Sequence, residues 1–586
     1  MLKNIRSYFW RFKKYQSPLE KYIFPLVLLL YPLIGVNAGL DITDTMYNMA
    51  NYQYIDHIYP MWFFSTFLSN VAGSIIMHLP FAGTMLGFGV YTTLIISAIA
   101  LIVYYALLEY MPGWMIFIGL FMAESLSWCP RVIMYNYLTY LFFTLGTLFL
   151  IKGMFAWNKQ GKKLFIAGVF LGLNVMVRFP NIVETGMILV LWFYCAITRE
   201  EFINAIRKTG VCILGFLVGA GVPYMMISVV YGPAAYFEMI ANLFGMTENA
   251  ADYSSGGMIS LIISGYTGSA IAMLIMIPCL MAGFIMFLLW EDRYVWVKKV
   301  LFSAGLLILV RYYFAKGVFT RNYFYYDSVF KAAMMFVIIA IILAIIGTIG
   351  FLNGSRQEQT LAFTVLMIVL LTPLGSNNYT YPVINNLYIV APISLWLFRR
   401  LMQRLGEREY NFAWQSMITM VIVTVLAQGL LFHSTFAFGD GTDGRKRDTV
   451  SSTIYKAQGM VSTGYNIESL EKLAAALGEM SLINNRVVLF GGVPGLAYLF
   501  DLEPAIGTVW PDLDSYGTDN FEKELLELSV SDDPEPTVII GKNMQEYANI
   551  STKYDILLDY MNEHGYNKVF ESERFMVFAT GIESED

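Results

Sequence analysis

Where the first long apolar run ends, the chain reads Gly39-Leu40-Asp41-Ile42-Thr43-Asp44-Thr45-Met46-Tyr47. Asp41 and Asp44 stand at a membrane exit, where a carboxylate costs desolvation energy and is a functional candidate by default. Such a group can accept a proton as a general base. The plainer reading makes Asp44 an acidic cap on an interfacial helix whose first turn is Thr45-Met46-Tyr47, and the two roles can coexist. Cations complete the set. In the membrane part, only Arg131, Arg178, Arg311, Lys316, Arg321 and Lys331 fall on the same outer side, and guanidinium forks suit phosphate oxygens. Arg178 can instead pair with Asp41, Asp44 or Glu184, and Lys331 can snorkel from a span end. The stretch 316–327, KGVFTRNYFYYD, mixes two cations with five aromatics. Its Tyr323, Tyr325 and Tyr326 could stack on sugar or isoprenoid, or belong to an interfacial aromatic belt. Glu238 and Asp252 read as solvated loop acids.

The elements that must hold these residues follow from composition. The chain has 586 residues, 57% hydrophobic and 14% charged, with a mean hydropathy of +0.56. Soluble domains carry roughly 25% charged residues, so a soluble globule, a disordered chain and a disulfide scaffold are excluded. Only helices and closed barrels satisfy their backbone in hydrocarbon, and these apolar runs far exceed the roughly 10-residue strands of a barrel. Windows of about 19 residues give about 13 spans, at 22–40, 84–108, 112–128, 132–151, 163–178, 182–198, 209–231, 258–290, 299–315, 328–350, 359–373, 382–398 and 411–432. The eighth is long enough to tilt strongly. With the N-terminus inside, twenty-one Lys and Arg lie on inner segments and six on outer ones, which sets the orientation. Val36-Asn37-Ala38 resembles a signal-peptidase site, but the run before it is longer than a usual signal core. The four cysteines (Cys129, Cys195, Cys212, Cys279) and four histidines show no metal-ligand spacing.

Beyond about residue 433 the composition changes. This segment holds 26 of the 44 acidic residues and 11 of the 38 basic ones. Residues 486–490 and 537–540 read as short buried strands, the stretches near 466–480, 519–530 and 553–564 as helices, and 568–580 as a closing strand or hairpin. The expected organisation is a cytoplasmic basic amphipathic segment at 1–21, a transmembrane module at 22–432 and an extracytoplasmic α/β domain at 433–586. Within the module, the first outer loop, 41–83, should lie in the interface. The basic, aromatic N-terminus suits an anionic inner leaflet, not nucleic acid. No internal repeat or matched pair of interrupted spans is present, which fits a transporter poorly.

An Asp at the outer end of the first span, a Tyr three residues on, many spans and an outer α/β tail together resemble the GT-C glycosyltransferases of the protein O-mannosyltransferase and aminoarabinose transferase type. Asp44 and Tyr47 occupy that family's D-x-x-Y positions, with Thr45 where a second acid often stands and Asp41 as a second candidate. The segment 172–180, GLNVMVRFP, is similar to the family's fifth-span ending. Pro130-Arg131 through Tyr135-Asn136-Tyr137-Leu138 resembles the start of its fourth span, without the Asp that relatives often place near Asn136. RVVLFGGVPGLAYLFDLEP, 486–504, resembles its outer domain; the Gly491-Gly492 pair lacks a dinucleotide fingerprint and reads as a turn.

The resemblance implies inverting transfer of a sugar from a polyprenyl-phosphate donor, at the outer face of the plasma or inner membrane, to a glycan, lipid or protein. Asp44 or Asp41 would be the base. Arg321 foremost, then Lys316, Arg131, Arg178 and Arg311, would bind the donor phosphate, with Tyr47, Asn136 and Tyr323 lining the acceptor or sugar cavity. Some GT-C enzymes bind a divalent cation beside the first-loop acid and others need none, so the metal stays open. The alternatives are a flippase or transporter, or a polymerase or ligase, of lipid-linked glycans.

Overall fold

The computed structural model describes residues 17–249, 255–289, 293–406, 408–440, 447–482, 486–542 and 550–581. The first sixteen residues of the basic amphipathic segment, and Asp252, lie outside them. Eight helices among the described residues are long and apolar enough to cross a membrane: Met85–Leu107, Met134–Phe155, Gln160–Val177, Phe179–Thr198, Phe202–Tyr231, Gly256–Leu288, Phe330–Thr348 and Asn411–Thr435. The expected thirteen are not reached by that measure, and each shortfall has a cause. Gly113–Leu126, Arg356–Leu371 and Val390–Leu405 have 14, 16 and 16 residues, or roughly 21–24 Å of helix against about 30 Å of hydrocarbon. Val295–Ala315 is long enough but carries Lys298, Lys299 and Arg311. The first run is α-helical only over Phe24–Leu30 and tightens into a 3₁₀ turn, Tyr31–Leu33. Pro32 has no N–H to give the Leu28 carbonyl.

Within the single span Gly256–Leu288, the long eighth run, the helix is interrupted between Ser255–Met273 and Met276–Leu288; Pro278 cannot donate to Leu274, and the ladder breaks there. Elsewhere small residues bring backbones together. Gly168 and Gly172 of one helix face Gly215 and Gly219 of the next, so closely that a Cβ on Gly168 would stand 1.9 Å from the Cys212 carbonyl oxygen and one on Gly215 2.0 Å from that of Phe165. Two small-xxx-small stripes thus interlock, the contact that lets helices associate without a hydrophobic driving force.

Among the described residues the tail holds seven short strands: β1 (Arg447–Thr449), β2 (Val461–Thr463), β3 (Arg486–Phe490), β4 (Glu503–Pro504), β5 (Thr537–Gly541), β6 (Asn567–Glu571) and β7 (Phe575–Ala579). Five form one sheet in the order β4-β3-β5-β7-β6, with β3 parallel to β4 and β5, and β7 antiparallel to β5 and β6. The strand and helix signals near 486, 537 and 568 and near 466, 519 and 553 therefore correspond to real elements, including the helices Gly464–Glu479, Thr518–Ser529 and Ile550–Glu563. Alternation along the strands divides the core. Val488, Phe490, Val538 and Ile540 pack on Phe521, Leu525, Leu557 and Met561. Val487, Leu489, Ile539 and Val577 join a cluster that runs through Met46, Met49 and Tyr52 of the first loop to Phe88 and Met134 of the bundle. The tail is built onto the membrane module.

Candidate active site at the exit of the first span

After Leu33 the chain leaves the helix through Gly35 and Gly39, both at positive φ (72° and 97°), where glycine alone is at ease. It is then caught by the tail. The Gly39 N–H donates to the Val461 carbonyl (2.9 Å), the Val461 N–H to that of Asn37 (2.7 Å), and the Leu40 N–H to the Asp440 carboxylate (3.1 Å). One residue later Asp41 is buried, 3% exposed. One of its oxygens accepts from the Thr43 N–H (3.0 Å) and the Thr43 hydroxyl, the other from the Thr45 N–H (2.7 Å). Asp41 therefore satisfies the N-terminus of the helix Asp44–Gln53, a role the sequence offered to Asp44; Thr43, at the capping position, makes no side-chain cap bond.

Asp44 is left free. Its carboxylate receives no hydrogen bond among the described residues, and only its backbone carbonyl is used, by the Asn48 amide (2.8 Å). The residue is exposed, yet surrounding protein keeps water from its carboxylate. Poor solvation there, reinforced by the charge of Asp41, raises its pKa to about 7. Helix N-termini favour carboxylates and so act in the opposite sense; here burial prevails. An acid poised near neutrality is half-charged at working pH and suited to proton transfer.

Tyr47, one turn on and half-buried, meets Trp510 of the tail edge-on at 5.5 Å. The half-buried Tyr135 lies within electrostatic reach of both Asp44 and Arg178, and the Arg178 guanidinium sits 5.8 Å over its ring. Arg178 follows the helix Gln160–Val177 and donates to the Gly375 carbonyl (3.3 Å). It forms no ion pair within 4 Å among the described residues, and Glu184 is taken up by Asn174 (2.5 Å). Asn136, next to Tyr135, is half-buried. The fold thus sets Tyr135 within reach of both Asp44 and Arg178.

The remaining candidates lie elsewhere. Arg131 donates to the Ile34 carbonyl (2.8 Å) and lines a separate cavity, behind Asp41. Arg311, Lys316 and Arg321 are exposed; Lys316 sits 6.0 Å over Tyr312 and Arg321 5.5 Å over Phe314. No hydrogen bond or ion pair joins these three to the first loop among the described residues. Tyr323 is buried, accepting from the Gln428 amide (2.6 Å) and donating to the Thr320 carbonyl (3.0 Å), so it pins its loop to the last membrane helix. Among the described residues no three or more His, Cys, Asp or Glu converge as metal ligands.

Sequence reasoning missed the tail's contribution. The Gly495 N–H donates to the Ile42 carbonyl (2.8 Å), and a Cβ there would stand 2.3 Å from that of Met46. The loop 510–516, WPDLDSY, is gathered by one lysine. Lys553, fully buried, gives its three donors to the carbonyls of Pro511 (2.9 Å), Leu513 (2.7 Å) and Tyr516 (2.6 Å). Burial lowers its pKa to about 8. Asp512 in the same loop accepts from the Gly492 N–H (2.6 Å). The aromatic-acidic run was the available signal; a lysine some 40 residues downstream offered none.

No family model matches the sequence, and a search of curated proteins finds no match. Among solved structures, the chain is similar to ArnT from Cupriavidus metallidurans bound to undecaprenyl phosphate, at 9% identity and a TM-score of 0.48, over 96% of this chain and 98% of that one. It is also similar to the oligosaccharyltransferase of Archaeoglobus fulgidus. For the complex with Zn and sulfate, identity is 13% and the TM-score 0.46, over 95% of this chain and 72% of that one. For its apo form the values are 15% and 0.43, over 90% and 70%.

Proposed function

We propose that the protein is an integral membrane glycosyltransferase. It moves a sugar, with inversion, from a polyprenyl-phosphate donor to an acceptor hydroxyl at the outer membrane face. One observation carries the reading: Asp44, at the exit of the first span, has a carboxylate that is open, free of hydrogen bonds among the described residues and held near pH 7. The acceptor oxygen attacks the anomeric carbon while Asp44 takes its proton. The bond from that carbon to the donor phosphate oxygen breaks, and polyprenyl phosphate leaves with the electron pair. Arg178, on the far side of Tyr135, meets the charge that develops on the phosphate. Asp41 fixes the turn that presents Asp44, and Tyr47 and Asn136 flank the sugar. Arg311, Lys316 and Arg321 suit anionic head groups at the membrane surface.

In this reading the shorter or more polar helices complete thirteen crossings, the N-terminus is cytoplasmic, and the domain from 433 onward is extracytoplasmic. The test is transfer by the full-length protein in nanodiscs, with a panel of polyprenyl-phosphate sugars as donors. Asp44→Asn should abolish transfer while still binding polyprenyl phosphate. Full activity in that variant removes Asp44 from the mechanism.

A further inference from the structure

Behind the turn that presents Asp44 is a second hollow. It is a cavity of about 80 Å³, and at the roughly 10–15 Å³ that a single water needs it has room for a phosphate group with a water or two, but not for a sugar ring. Asp41 and Thr45 line it, and Asp44 does not. Its polar lining is rich in donors. Arg131 spends one nitrogen on the Ile34 carbonyl (2.8 Å), and among the described residues it pairs with no carboxylate. The indole N–H of Trp128 has no acceptor among the described residues. His433 turns Nε2 to the Tyr31 carbonyl (3.3 Å) and lines the cavity beside Arg131. The one acid present, Asp41, is already held by Thr43 and Thr45, so it does not neutralise Arg131 by direct contact.

The rest of the wall is aromatic and leads outward. Phe432 stacks on Phe436 (4.6 Å), Trp128 lies parallel to Phe438 (6.2 Å), and Trp128 also meets Tyr326 (5.6 Å), which is exposed on the outer loop. A guanidinium without a counter-ion at the head of an aromatic track, at the level where the first span leaves the membrane, matches a ligand with an anionic head and a greasy tail. We propose that this cavity is a second phosphate site, separate from the Asp44–Arg178 recess, and that it takes the phosphate group of a lipid. The transferase thereby holds two phosphates, on opposite sides of the capped turn, and the lipid on the Arg131 side belongs to the acceptor.

The assignment to the acceptor rests on the transfer reading; the phosphate site itself does not, and the experiment separates them. Binding of dioctanoyl phosphatidic acid, dioctanoylglycerol and inorganic phosphate is measured calorimetrically on the full-length detergent-solubilised protein, for wild type, Arg131→Gln and Arg131→Lys. Undecaprenyl phosphate is titrated in parallel. Gel filtration and thermal melting confirm that each variant is folded, and Arg131→Lys keeps the charge if the glutamine variant does not fold. Wild type should bind phosphatidic acid saturably and ignore dioctanoylglycerol. Arg131→Gln should weaken phosphatidic acid about tenfold or more, and Arg131→Lys severalfold, since an ammonium replaces a forked contact. Undecaprenyl phosphate should bind all three alike.

Absent or unchanged phosphatidic acid binding overturns the site. Inorganic phosphate bound as tightly as the lipid overturns the lipid assignment. If Arg131→Gln loses undecaprenyl phosphate in step with phosphatidic acid, Arg131 serves the donor and the second site falls while the transfer reading stands. If no sugar transfer is found but phosphatidic acid binds through Arg131, the transfer reading and its acceptor assignment fail and the phosphate site remains.

Discussion

Replacing Asp41 by Asn tests the division of labour between the two first-loop acids. Asp41 contributes a charge that raises the pKa of Asp44, and its carboxylate ties down the turn. Asn keeps an oxygen for Thr43 or Thr45 and removes the charge. The coupling between two carboxylates near a protein surface is about 1 kcal/mol after solvent screening, so the pKa of Asp44 should drop by about half to one unit from its value near 7. Lowering the pKa of a base enlarges its active form on the acid side. At pH 6 the deprotonated fraction rises from roughly a tenth to between a quarter and a half, and transfer at that pH should become about two- to fivefold faster. The plateau above pH 8 should change little beyond the cost of a weakened cap, about 1 kcal/mol of stability. The assay is a pH–rate profile of kcat/KM for sugar transfer in nanodiscs, with Asp44→Asn alongside, which should lower the plateau by about 10²–10⁴-fold. An acid limb that stays in place in Asp41→Asn, or moves to higher pH, refutes the proposed coupling.

Other perturbations follow from the packing. Gly172→Leu must push apart two helices whose backbones leave no room for a Cβ, with Phe216 oxygen 2.3 Å from where it would stand. The thermal melt of the purified protein should fall by an overpacking cost of about 1–3 kcal/mol or more. Gly495→Val drives a side chain into Met46 and should loosen the tail from the first loop, read as faster hydrogen exchange over both 40–46 and 493–499. Lys553→Met removes one group that holds three buried carbonyls and should cost about 3–5 kcal/mol, with exchange protection lost first over 511–516. The same lysine gives a pH signature. Its folded pKa, about 8, lies below the usual 10.5, so between these values the unfolded chain holds the extra proton and stability gains with pH. Relative to Lys553→Met, wild type should therefore gain stability from pH 8 to 10.5.

The membrane character and the tail's layout were legible because both are written in local pattern. Runs of apolar residues marked the crossings, and the alternation around 487–490 and 537–540 marked the central strands. The same local signal placed the carboxylates at the exit of the first run. What it could not supply was long-range choice. Pro32 does more than interrupt a helix, because Gly35, Gly39 and β2 make the exit an extended segment paired to a strand some 420 residues later. Asp41 was as eligible as Asp44 until the positions of Thr43 and Thr45 settled which one is bound up. Arg321 had the stronger claim as a phosphate contact; only packing puts Arg178 beside Tyr135 and Arg321 over Phe314. The facing glycines at 168, 172, 215 and 219 were in plain view, but a spacing of four becomes a contact only once two helices are known to be neighbours.

The pairing of Ala38 with Val461 has a bearing on biogenesis. The acid-bearing turn is synthesised within the first tenth of translation, yet the strand that holds its edge arrives only after the last membrane helix. Until that late segment has been made and folded, the early turn lacks its paired edge. The early turn is therefore one of the last parts of the protein to be completed.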